Sequence, residues 1–158
     1  VKTIFQVKKQ FEILRAYREA VVQTIDDLDL DQLQFIPEGF KNSIFCNISH
    51  CLVIQQLCLY KFSGLDILIT NDWVANYKKG TQPKFLINED EVDYVKQKLI
   101  STVDQLEQDY MEKKFETYTE YETSMGVVLS SVEDAINYNN VHEGVHFGII
   151  KTMKKLIV

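Results

Sequence analysis

Proline and glycine are scarce in this chain: two prolines and six glycines in 158 residues. Turns and hairpins draw on those residues, so their scarcity argues against a loop-rich β protein and suits long helices. No apolar run approaches the roughly 20 residues that span a bilayer, and no secretory leader pattern is visible from Val1 onward. Cations are outnumbered, 17 Lys and Arg against 23 Asp and Glu, for a net charge of −6. Binding a nucleic-acid backbone needs clustered cations that displace counterions, and no such cluster is visible. Lys151, Lys154 and Lys155 fall instead in the last turns of an expected helix, where they complement its dipole. The three cysteines, Cys46, Cys51 and Cys58, all fall within one expected helix at spacings that do not readily pair. That is the pattern of reduced cysteine. The expectation is a cytoplasmic protein with neither a nucleic-acid partner nor a membrane one.

What is present is helical periodicity. The length suits one domain, residues 1–158, and a chain of this size buries roughly 68–70% of its unfolded surface without needing disulfides. Apolar residues Ile4, Val7, Phe11, Leu14, Val21, Ile25 and Leu28 recur at spacings of three and four, predicting a first helix over about Thr3–Asp27. Arg18 interrupts that stripe. A polar link, Asp29–Asn42, leads to a second helix over about Ser43–Phe62, apolar on more than one side and stopped by Ser63-Gly64. The connection Leu65–Ile87, which contains Pro83, is long enough to suggest a cover over a pocket, with a short helical turn near Asp72–Tyr77. A third helix is expected over about Asn88–Glu112, opened by an Asn88/Glu91 capping box. An irregular link, Lys113–Leu129, follows. A Ser130/Glu133 capping box then opens a fourth helix over about Ser131–Leu156. The fold class is all-α, a four-helix bundle with long connections between helices 2 and 3 and helices 3 and 4.

The chain's three histidines are placed informatively. His142 and His146 are four residues apart on the fourth helix, so both leave one largely apolar face. His50 sits mid-way along the second helix, again on a mostly inward face. Buried imidazoles need hydrogen-bond partners or a metal. Two readings follow: three separately satisfied core histidines, or convergence on one divalent cation with an open position for water. Three neutral imidazoles suit zinc, nickel, iron or copper, with zinc or nickel the expected ion.

His142-Glu143-Gly144-Val145-His146 also matches the H-E-x-x-H pattern of zinc peptidases, in which Glu143 would be the general base. Such enzymes usually draw a third ligand from beyond the motif, and no His, Asp, Glu or Cys follows His146. On a helix Glu143 also points about 80° away from the bisector of the two histidines. It is left to flank the site, to pair with a neighbouring cation or to face solvent. Cys46, four residues before His50, is either a fourth ligand that closes the site or an inert buried thiol. Asn47 and Asn139 each precede a histidine by three residues. They are candidates to orient an imidazole or a bound water from behind, or else are satisfied interior amides. The aromatic residues receive no role.

The segments Pro37-Glu38-Gly39-Phe40-Lys41-Asn42-Ser43-Ile44, Asn47-Ile48-Ser49-His50 and Asn140-Val141-His142-Glu143-Gly144-Val145-His146-Phe147-Gly148 resemble, in their order along the chain, the DinB-like (DinB/YfiT-like) metalloenzyme family. The resemblance implies an up-down-down-up four-helix bundle, often a homodimer, with a divalent metal bound by three histidines, here His50, His142 and His146. It also implies a small-molecule substrate. Members of that family include transferases that use a low-molecular-weight thiol, together with some hydrolases and isomerases. The implied function is a metal-dependent enzyme activating water or a thiol. A non-catalytic metal-binding or interaction bundle is the alternative.

Overall fold

The first helix, α1 (Lys2–Ile25), turns one apolar edge inward: Val7, Phe11, Leu14, Val21 and Ile25 are buried at spacings set by the helical period. The structure, a computed structural model, describes residues 2–82 and 85–157, with side chains from Val7 onward. Ile4, first in the expected stripe, lies outside the described side chains, and Pro83 outside the described residues.

The expected polar link contains a short helix, α2 (Leu30–Gln34). Its cause is a reciprocal cap: Asp29 accepts from the Gln32 N–H at 2.8 Å while the Gln32 side chain accepts from the Asp29 N–H at 3.0 Å. Leu33 anchors it in the core.

Helix α3 (Ile44–Gln55) starts at Ser43, whose hydroxyl accepts from the Cys46 N–H. The rod runs on to Gly64 as expected, but its last part is not α-helical. A π-helical turn, Gln56–Tyr60, and a 3₁₀ turn, Lys61–Ser63, complete it. Gly64 ends it at φ 72°, a left-handed conformation that favours glycine. Gln55, the last residue of α3, and Gln56, the first of the π turn, are both buried.

The connection carries α4 (Asn71–Tyr77), capped by Thr70. Helix α5 (Glu89–Met111) opens with the Asn88/Glu91 capping box read from the sequence. The link after it is not wholly irregular. Tyr121–Glu122 (β1) pairs antiparallel with Val128–Leu129 (β2) around a turn closed by Gly126 at φ 76° and by Thr123. Helix α6 (Val132–Ile157) is capped one residue later than expected. Ser131 accepts from the Asp134 N–H, and Asp134 accepts from the Ser130 N–H. Glu133 instead accepts a 2.6 Å bond from the Tyr110 hydroxyl.

Helix α1 packs against α5 and α6, and α3 packs against the same two. The all-α class is therefore borne out, with one small hairpin added. Two apolar clusters fill the interior. One holds Phe45, Leu52, Trp73, Leu99 and Met153, the other Phe11, Leu59, Val103, Leu106 and Ile136. Polar residues are buried as well: Arg18 of α1, Gln55 of α3, Thr102 of α5 and Glu143 of α6 form one hydrogen-bonded group, and Asn139 and Asn140 of α6 are also buried. No helix among the described residues is long and apolar enough to cross a membrane.

Candidate metal centre

His50 projects from α3, and His142 and His146 project from α6, which packs against it. Each imidazole offers one ligand nitrogen, and these atoms all lie within 4.8 Å of one another. Ring centroids stand 5.2 Å (His50–His142), 5.1 Å (His50–His146) and 4.5 Å (His142–His146) apart. The sequence reading of a convergent triad is thus matched by the placement of all three side chains.

Two of the rings are held from behind. His50 Nδ1 donates to the Tyr77 carbonyl at 2.9 Å, and His146 Nδ1 donates to Asn47 Oδ1 at 2.8 Å. With Nδ1 protonated in each ring, Nε2 carries the free lone pair. Asn47 is itself fixed, because its amide nitrogen donates to the Ser43 carbonyl at 2.8 Å. His142 Nδ1 is buried with no hydrogen-bond partner among the described residues.

Burial, together with the neighbouring imidazoles, holds His142 down at about 3. Burial, with His50 beside it, holds His146 at about 4. His50 is also lowered, chiefly by burial, against the opposing effect of its bond to Tyr77. All three rings are therefore neutral at pH 7, the form that donates a lone pair to a metal. The donor set fits a divalent cation on two counts. Neutral nitrogen donors suit zinc and its borderline neighbours, and His142 Nδ1, a buried atom on a half-buried ring, has no hydrogen-bond partner among the described residues, the neighbouring imidazoles included.

Other candidates are placed differently. Glu143 does not join the cluster; it is 3% exposed, and its Oε1 accepts from Arg18 Nε at 3.1 Å and Nη2 at 2.5 Å. The fully buried Arg18 reaches on to Gln55 Oε1, Thr102 Oγ1 and the Leu99 carbonyl. Arg18 thus breaks the apolar stripe because it is the counter-ion of Glu143, and of the three placements open to Glu143 in the sequence the structure shows the pair with a neighbouring cation. Cys46 is half-buried beside the site but is not within the group of mutually close ligand atoms. Asn139 is fully buried, and neither its amide nitrogen nor its oxygen has a hydrogen-bond partner among the described residues. It does not orient His142 through a hydrogen bond. The Tyr77 carbonyl, by contrast, carries no signal in the sequence, since any residue supplies one.

A cleft of about 180 Å³ opens onto the cluster, lined by His50 and His146, by Cys46 and Asn47, and by the connection from Tyr77 to Thr81. The long connection does cover part of the site. Larger hollows occur elsewhere, including one of about 430 Å³ between Tyr110, Phe115 and Val132, but none of the three histidines lines it.

The class defined by this fold and site is an all-helical protein with a three-histidine candidate metal centre. The profile of the DinB superfamily matches residues 13–150, a span that includes all three histidines, and the chain belongs to that superfamily. DinB-like proteins are metal-binding. No curated protein matches the chain.

Proposed function

We propose that this protein is a metal-dependent enzyme that turns water or a low-molecular-weight thiol into a nucleophile against a small electrophilic molecule at His50, His142 and His146. The observation that carries this reading is the combination of a converged imidazole triad with a cleft that reaches it. A purely structural metal site is closed by four protein ligands, whereas a catalytic one keeps a position free. Here Cys46 stays outside the ligand group, so the described side chains leave that position open.

The ion we propose is zinc or nickel, and when bound it supplies the Lewis acidity that makes water or a thiol nucleophilic near neutral pH. The chain's own residues do the rest. Asn47 and the Tyr77 carbonyl hold two rings in one tautomer and orientation. Partial burial lowers the proton affinity of all three rings and keeps them neutral. The narrow cleft admits small molecules and excludes folded chains.

Hydrolysis and thiol transfer separate in one assay. Metal-loaded protein is given an electrophilic aromatic substrate with and without a low-molecular-weight thiol. Turnover that requires the thiol supports transfer, and turnover without it supports hydrolysis. No turnover of any electrophile by fully loaded protein would favour a non-catalytic metal-binding bundle.

A further inference from the structure

Besides the histidines, the cleft is lined by two basic residues. Lys78 and Lys79, directly after α4, line it, with Gly80 and Thr81 completing the turn. This is unexpected in a chain of net charge −6, and among the described residues no carboxylate lines the cleft. Neither lysine forms an ion pair among the described residues, whereas Lys96, Lys114 and Lys154 each do. The turn is built rather than loose: the Thr81 N–H and hydroxyl both donate to the Lys78 carbonyl, at 3.2 and 2.7 Å, and Gly80 takes φ 85°. It is also tied to the triad, because Tyr77, the residue before Lys78, accepts the His50 ring hydrogen bond through its carbonyl. Lys79 lies near enough for its charge to act on His50.

Two cations lining a cleft that no described carboxylate lines select a ligand that brings an anion. The cleft's size narrows the class, since about 180 Å³ is well under the roughly 300–1,000 Å³ of pockets that enclose drug-sized ligands. From this we infer that Lys78 and Lys79 form an anion subsite, and that the molecule acted on here is a small acid, or the acidic end of a larger one. Its carboxylate or phosphate docks on the two lysines while its reactive atom faces His50 and His146. The inference rests on the proposed metal-dependent reading for its chemistry, although the docking step does not need the metal.

The test is isothermal titration of the zinc-loaded protein and of the Lys78→Gln/Lys79→Gln variant with succinate, inorganic phosphate and uncharged succinamide, with zinc content and circular dichroism measured on each sample. Both lysines are exposed, so the variant folds. The expected result is anion binding that weakens about tenfold in the variant at unchanged zinc content, with no response to succinamide. The tighter of succinate and phosphate identifies which acid the subsite prefers. Equal anion affinity in parent and variant, or no anion binding by the parent, would overturn the subsite. If the parent fails to hold zinc, the metal reading is what fails. The subsite is then judged on the metal-free protein by phosphate titration, where the same dependence on the lysines is expected and its absence rejects the subsite.

Discussion

Asn47 Oδ1 and His146 Nδ1 meet at 2.8 Å across the packed faces of α3 and α6. The contact fixes the ring's tautomer and ties together the two helices that supply the candidate ligands. Such outer partners typically change metal affinity by about 10- to 100-fold. Asn47→Ala is therefore expected to weaken metal binding by that order, and Asn47→Asp, which keeps the acceptor, to weaken it less. Competition with a chelator of known affinity measures both, and equal affinity in Asn47→Ala and the parent would remove Asn47 from the account.

The Arg18–Glu143 pair is buried at 0% and 3% side-chain exposure. Removing one member of such a pair leaves a charge in a low-dielectric interior, at about 3–5 kcal/mol. Arg18→Met is expected to lower stability by that amount in denaturant unfolding. Arg18→Met with Glu143→Leu should recover much of it, since an apolar replacement of a whole buried pair is often neutral. Glu143→Leu alone should bind metal stoichiometrically; loss of the metal there would return Glu143 to the site.

The imidazoles give a pH dependence of defined sign. In the folded protein His142 is held at about 3 and His146 at about 4, against about 6.5 in an unfolded chain. Between those values the unfolded state binds more protons, so stability rises with pH through the window and is lost as pH falls below about 6.5. Metal-free protein should thus melt at progressively lower temperature from pH 7 to pH 4.5. His142→Leu should show a shallower dependence, and an unchanged slope would mean that His142 does not titrate as described.

The cysteines should differ in reactivity. Burial, with Glu143 nearby, pushes the Cys51 thiol well above its ordinary range, and burial pushes Cys58 up to about 11. The thiolate is the reactive form, and Cys46 is half-buried at the cleft. Alkylation of the native protein followed by peptide mass spectrometry is expected to find Cys46 modified first. Earlier labelling of Cys51 or Cys58 would contradict the described packing.

The triad was legible because its geometry is local: a spacing of four on one helix sets His142 and His146 on one face, and the apolar flanks of His50 mark its face as inward. The long helices were legible for the same reason. What escaped depends on contacts between distant segments. Asn47 is picked out by its place three residues before His50, yet it serves His146, a partner that only the packing of α3 on α6 selects. Arg18 is visible as a break in an apolar stripe, but nothing in that stripe names Glu143, 125 residues away. The π turn at Gln56–Tyr60 depends on helical hydrogen-bond register, to which periodicity is blind. The small helix α2 was legible in principle: the Asp29/Gln32 box that starts it is written in the sequence, hidden inside a segment that otherwise reads as a link.

The most direct test of the account is the metal content of the purified, untagged protein beside His50→Ala and His146→Ala, measured by mass spectrometry after reconstitution with zinc and with nickel. The account predicts near-stoichiometric metal in the parent and loss of it in both variants, with helical content retained. A parent that holds no metal, or variants that hold as much as the parent, would contradict it.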